Sequence, residues 1–144
     1  MRRSAAFPPG GFLQVVETGI YVDDLAAAEE FYCGLLGLRR VSAEPGRHLF
    51  AAAGGTMLLV FSAAETLKGE TLPAHGARGS GHFALEVEGI ADLERWRRYL
   101  LEQGVSIEQD VQWGRPDLRS IYFRDPAGNS VEIITRGVWP LTGC

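Results

Sequence analysis

Glu17-Thr18-Gly19-Ile20-Tyr21-Val22 and His82-Phe83-Ala84-Leu85-Glu86-Val87 are the two stretches whose comparison decides the fold. They lie 65 residues apart (17 against 82) and share the period-two alternation of a half-buried strand. Thr18, Ile20 and Val22 match Phe83, Leu85 and Val87 on one face. Glu17, Gly19 and Tyr21 match His82, Ala84 and Glu86 on the other. The same offset carries on: Leu25, Ala28, Phe31, Leu35 and Leu36 fall on Ile90, Leu93, Trp96, Leu100 and Leu101. Both sets have the three- and four-residue spacing of an amphipathic helix. Asp24 suits the N-cap of the first helix. Gly37 and Gly104 stand where a helix ends on a left-handed residue.

Short strands follow each helix. The pattern predicts them over residues 38–43, 47–52 and 56–62 in the first half, and 105–112, 119–124 and 129–135 in the second. Gly54-Gly55 and Asp125-Pro126-Ala127-Gly128-Asn129 supply the last turn of each half. Each half therefore reads strand, helix, strand, strand, strand. A four-stranded sheet with one helix has one covered face, and its other face must be buried or hold a ligand. The expected fold is α+β: two tandem βαβββ modules forming a cup-shaped mixed sheet with helices outside. The expected organisation is a tail at 1–11, a first module at 12–62, a linker at 63–81, a second module at 82–136 and a tail at 137–144. The Gly, Pro and Ala content of the linker suggests an exposed connection, long enough to serve as a lid or a swap hinge.

Composition narrows the partners. A chain of 144 residues with 46% hydrophobic and 22% charged residues has the make-up of a soluble globular domain. The net charge is −4, and its only basic cluster, Arg95, Arg97 and Arg98, falls on a predicted helix, which reads as a solvated face. Neither a nucleic-acid footprint nor an apolar run long enough for a membrane span is present. Two cysteines, Cys33 on a helix and Cys144 at the end, make a disulfide framework improbable. Pro8-Pro9-Gly10-Gly11 stands where a signal peptide needs apolar residues. A cytoplasmic protein is expected.

Three ionisable residues fall on the face away from the helices: Glu17 and His82 at equivalent points of the two first strands, and Glu132 in Ser130-Val131-Glu132-Ile133-Ile134. A carboxylate within an apolar strand is costly unless paired, protonated or bound to metal. One imidazole and two carboxylates suit a divalent ion with open positions. The competing reading leaves the two glutamates on a wetted sheet face and His82 at a loop edge.

Val22-Asp23-Asp24-Leu25, Phe31-Tyr32 and Leu35-Leu36-Gly37-Leu38 resemble the opening module of the vicinal-oxygen-chelate superfamily, the glyoxalase, bleomycin-resistance and extradiol dioxygenase group. Tyr122-Phe123-Arg124-Asp125-Pro126-Ala127-Gly128-Asn129-Ser130-Val131-Glu132 resembles its closing signature. The resemblance implies a cup of two βαβββ modules around a divalent metal (Mn, Ni, Zn, Mg or Fe), with Glu17, His82 and Glu132 as ligands, and a homodimer. It departs from the family at Glu17, where histidine is most frequent. Glyoxalase I and methylmalonyl-CoA epimerase have a further ligand in the last strand of module one, but the place matching Glu132, near Leu58, has no donor. The fosfomycin-modifying thiol transferases resemble the chain only at Ser120 and Tyr122.

The expected function is a metal-dependent enzyme acting on a small molecule that chelates the ion through neighbouring oxygens, as a lyase or isomerase. Glu17, Glu132 and Tyr122 are the catalytic candidates, and Tyr21, Ser120, Glu86 and His75 the substrate-binding ones. The alternatives are a metal-free binding protein of the bleomycin-resistance kind and a ring-cleaving dioxygenase. His48 is expected to be structural or at the cup rim, and Trp113 and Trp139 to be packing residues. Cys33, on the core stripe, is assigned no chemistry.

Overall fold

The alternating stretches become strands at the expected places. In the first half, β1 (Glu17–Val22) leads to α1 (Leu25–Glu29), then β2 (Arg39–Glu44), β3 (His48–Ala53) and β4 (Thr56–Ser62). After a short helix α2 (Ala63–Thr66), the second half runs β5 (His82–Val87), α3 (Ile90–Glu102), β6 (Gln109–Gln112), β7 (Arg119–Arg124) and β8 (Ser130–Thr135). The computed structural model describes residues 9, 13–69, 72–77 and 80–141. Most of the expected N-terminal tail, and Cys144 with the end of the C-terminal one, lie outside these residues.

Each half forms one four-stranded sheet, ordered β1-β4-β3-β2 and β5-β8-β7-β6. In both, the first strand runs parallel to the last and the remaining pairs are antiparallel. The fold is α+β, with two βαβββ modules, as the repeat predicts. Pairing of Glu17 with Met57, and of His82 with Ser130, fixes the equivalence of the modules residue by residue. Glu132 thus corresponds to Leu59, not Leu58. Among the described residues, no helix is long and apolar enough to cross a membrane.

Asp24 caps α1, accepting a hydrogen bond from Ala27 N at 3.0 Å. Past Glu29 the helix widens into a π-helical turn over Glu30–Leu35. The wider turn brings the neighbouring Phe31 and Tyr32 together into the core. Gly37 (φ 75°) and Gly104 (φ 80°) end the two long helical segments in the left-handed conformation. The linker is not wholly irregular, since α2 forms at its start. Strand β6 is shorter than predicted, because residues 105–108 run beside the sheet with one backbone bond, Glu108 N to Tyr122 O at 2.7 Å.

The helix-facing side chains of both sheets join a single core, with Ile20, Val22, Leu58 and Val60 from one module and Ile121, Phe123, Val131 and Ile133 from the other. Contacts cross between the modules. Phe31 meets Phe123 with ring centroids 6.1 Å apart, and Tyr32 meets Phe83 at 5.9 Å. Tyr99 Oη donates to Leu35 O at 2.9 Å. Two members of the basic cluster on α3 are ion-paired: Arg95 with Asp92, and Arg97 with Glu94 and Asp110. Burial pushes the Asp110 carboxyl up, but hydrogen bonds from Arg119 and Arg97 outweigh it and hold the group below its ordinary range.

At the seam, buried Tyr32 donates to Asp125 Oδ2 at 2.7 Å. Asp125 also accepts from Ala127 N, Asn129 N and Asn129 Nδ2. Burial, and then the Asp125 carboxylate, drive the Tyr32 phenol far above its ordinary value, so it stays a donor. Tyr32→Phe removes one donor and is expected to lower stability by about 1–3 kcal/mol in urea unfolding. Asp125→Ala strips the acceptor from four groups and is expected to cost more. Equal, negligible losses in both variants would show that this seam does not hold the modules.

Candidate functional site

On each sheet the odd members of the first strand point away from the core. In module two, His82, Glu132, Ser120 and Tyr122 share this concave face, since Tyr122 pairs with Glu132 and Ser120 with Ile134. His82 Nε2 lies 3.2 Å from Glu132 Oε1. The His82 side chain is 51% exposed, whereas that of Glu132 is 7% exposed. Ser120 Oγ, fully buried, donates to Glu132 Oε2 at 2.5 Å and receives Trp113 Nε1–H at 2.8 Å.

The protonation of this group follows from its partners. His82 Nδ1 is 3.1 Å from Ser130 O, and a carbonyl only accepts, so Nδ1 carries a hydrogen. In the neutral ring Nε2 is then a bare lone pair facing a carboxylate oxygen. Two acceptors in contact repel unless a proton or a cation lies between them. A shared proton accounts for the 3.2 Å separation, and an imidazole nitrogen beside a carboxylate oxygen is also a donor pair that would hold a divalent cation. Tyr122 stacks beside His82 with ring centroids 6.1 Å apart. Burial, then the charge of Glu132, raise its phenol above the ordinary value, so it is neutral and able to donate at pH 7.

Glu17 lies at the start of β1, exposed and outside this pair. Among the described residues, no three His, Cys, Asp or Glu side chains gather as a metal-binding group. Glu86 is exposed on β5, two residues along the concave face from Ala84. Tyr21 and His75 meet, but away from this pair, where the linker returns to β1: Tyr21 Oη and His75 Nδ1 are 2.6 Å apart.

Register shows how far the modules have diverged. Leu59 stands where module two has Glu132, Phe50 where it has Tyr122, and His48 where it has Ser120. The concave face of module one is aromatic. His48 stacks on Phe50 at 4.0 Å, and Phe61 meets Phe50 edge-on at 5.7 Å and His75 at 4.7 Å. His48 also bonds to Ser42 Oγ at 3.1 Å. A cavity of 540 Å³ opens between the β2–β3 turn and the linker, lined by Arg47, His48, Phe50, Phe61, Glu65 and His75 among others. Trp113 is the residue that sequence reasoning left as packing. Its signal was parity, because Gln109, Val111 and Trp113 alternate onto the concave side.

Two tandem βαβββ modules in paired four-stranded sheets define the fold class, and the comparisons give the family. The model of the Glyoxalase/Bleomycin resistance protein/Dioxygenase superfamily matches residues 14–133. The chain belongs to that superfamily. It is similar to the crystal structure of lactoylglutathione lyase from Agrobacterium tumefaciens, at 36% identity over 92% of this chain and 98% of that one, with a TM-score of 0.85. A glyoxalase/bleomycin resistance protein/dioxygenase from Nocardioides shares the fold at 23% identity, covering 88% of this chain and 85% of that one, with a TM-score of 0.69. So does an integron cassette protein from V. Cholerae, at 21% identity over 89% and 98%, with a TM-score of 0.69. No curated protein matches at a significant level.

Glu132→Leu copies into module two the residue that module one holds at the same place. It replaces a buried carboxylate by an apolar group of similar size but takes the acceptor from the buried Ser120 hydroxyl, so stability is expected to fall by about 1–3 kcal/mol. Thermal unfolding checks this. A loss well beyond that range would mark Glu132 as a structural group rather than one kept for chemistry.

Proposed function

We propose that the protein is a metal-dependent enzyme acting on a small molecule that presents two neighbouring oxygens, with a lyase or isomerase outcome. The observation that carries the reading is the 3.2 Å pairing of His82 Nε2 with the buried Glu132 carboxylate on a solvent-open sheet face. Similarity to a lactoylglutathione lyase favours this outcome over oxygen insertion. His82 and Glu132 hold the metal, and Glu17 completes the set from a second copy of the chain. When bound, the metal supplies Lewis-acid stabilisation to charge developing on the chelating oxygens.

The remaining roles fall to named side chains. Tyr122, kept protonated and bonded to Glu132 and Ser120 in the free protein, turns its hydroxyl to a substrate oxygen. Glu17 or Glu132 would take a proton as general base. Ser120 fixes Glu132, and Glu86 lines the polar half of the cup. The aromatic face with Tyr21 and His75 receives the part of the substrate remote from its oxygens. Leu59 offers no donor, so the protein supplies three ligands rather than four. A homodimer accounts for the apolar approach to Glu17: Leu13, Val15 and Val16 are 98%, 76% and 54% exposed, leading straight into β1.

The aromatic cavity of module one favours a second reading, a metal-free protein of the bleomycin-resistance kind that sequesters an apolar compound. Metal content separates the two. Protein purified without chelator is expected to carry close to one divalent ion per chain, and His82→Ala to lose most of it. The shared site has a sharper test. Glu17→Ala and His82→Ala should each be deficient in metal, and a mixture refolded together should regain one intact site in each mixed dimer. Failure of the mixture to regain metal would confine the site to one chain. Full metal content in His82→Ala would remove the metal reading altogether.

A further inference from the structure

Trp113 follows β6 by one residue and reaches Ser120 from the edge of the sheet. An indole nitrogen has a hydrogen and no lone pair, so it can only donate. The 2.8 Å contact therefore makes Ser120 Oγ the acceptor. Serine has a single hydroxyl proton, and it goes to Glu132 Oε2 at 2.5 Å. Direction along this chain of hydrogen bonds is thus set from its outer end by the tryptophan. One carboxylate oxygen is engaged, and the other, Oε1, faces His82.

The loop that carries Trp113 is held in place. Trp113 N donates to Leu118 O at 2.7 Å, and Leu118 N to Arg115 O at 3.1 Å. Thr135 Oγ1, buried in β8, donates to Asp117 O at 3.2 Å and accepts from Arg119 N at 2.9 Å. The indole is 41% exposed, yet its N–H points inward to a fully buried hydroxyl. Simple packing of the ring does not account for this inward aim.

We infer that Trp113 and Ser120 are positioning residues that hold Glu132 in a one-oxygen orientation toward a cation at His82. The inference rests on the metal reading above and adds the groups that set its geometry. Without the indole, the Ser120 proton is no longer directed at Glu132 and can turn to the Tyr122 hydroxyl, which bonds both residues, so the carboxylate loses its fixed donor on Oε2. The second oxygen then competes for the cation or for His82. Outer partners of metal ligands commonly govern affinity in this way.

Two measurements test it, one of them without metal. In the metal-free protein the Trp113 indole proton, followed by amide-type hydrogen exchange in NMR, is expected to be protected. Ser120→Ala should abolish that protection. An indole proton that exchanges as in free tryptophan, or one unaffected by Ser120→Ala, would overturn the inference. The second measurement is a Mn²⁺ titration by calorimetry on the full chain. Ser120→Ala is expected to weaken binding about tenfold, and Trp113→Phe about three- to tenfold. In the Ser120→Ala background, Trp113→Phe should change nothing, because the path to Glu132 is already cut. Equal losses from Trp113→Phe in both backgrounds would show a packing effect and overturn the inference. If the parent protein takes up no Mn²⁺, the metal reading fails by itself, and indole exchange still decides whether the Trp113–Ser120 bond exists.

Discussion

The carboxylate of Asp125, buried between the modules, is the constraint on which the rest depends. It accepts four hydrogen bonds, from Tyr32, Ala127 and twice from Asn129. Asn129 in turn donates to Tyr21 O at 3.2 Å and accepts from Gly81 N at 2.7 Å. Ser130 N then donates to Gly81 O at 2.9 Å. The turn that begins β8 is thereby tied at once to β1, to the helix of module one and to the residue before β5. An unpaired carboxylate in this place would cost several kcal/mol, so the turn has few alternatives. Its geometry sets the register of β5 against β8. That register places His82 and Glu132 on one face within 3.2 Å.

Within this frame the two modules keep the same backbone and divide the chemistry. Module two has the imidazole, the carboxylate, the phenol and the hydroxyl that fixes the carboxylate. Module one has leucine, phenylalanine and histidine at three of the matching positions, and Glu17 at the fourth. Polar groups on a sheet face are costly when covered and unpaired, and here the covered ones, Ser120 and Glu132, are bonded to each other, so the face tolerates either set. What it holds then reflects the ligand rather than the fold. A polar half beside an aromatic half suits a compound with charge-bearing oxygens at one end and apolar surface at the other.

Much of the architecture was legible because strands and helices have different periods, and polarity repeats at those periods in both halves. Val131 and Ile133 on one side of Glu132 parity, and Phe83, Leu85 and Val87 on one side of β5, fix which face is core. The concave positions of Glu17, His82, Ser120, Tyr122 and Glu132 follow from the same alternation. Contacts between sequence-distant side chains did not. Nothing in the order of residues shows that Glu17 stands apart from His82 within a chain, or that Tyr21 finds His75. The counterpart of Glu132 was legible only as a place near Leu58, and the register fixes it at Leu59, a distinction that matters because in a strand one residue is the opposite face. The π-helical turn depends on two adjacent aromatic rings both entering the core, which a search for helical spacing does not detect.

One consequence concerns how such a protein changes over time. Along β4 the core takes Leu58 and Val60, while Met57, Leu59 and Phe61 face outward on the concave side. Along β3 the core takes Leu49 and Ala51, leaving His48 and Phe50. Selection for folding and selection for ligand chemistry therefore act on alternate letters of the same words. Substitutions can accumulate in one set while the other stays fixed, and a new specificity need not pass through an unstable ancestor. The exception is Ser120, fully buried and bonded both to Trp113 and to Glu132, where both demands fall on one side chain. There, inheritance is expected to be the most conservative.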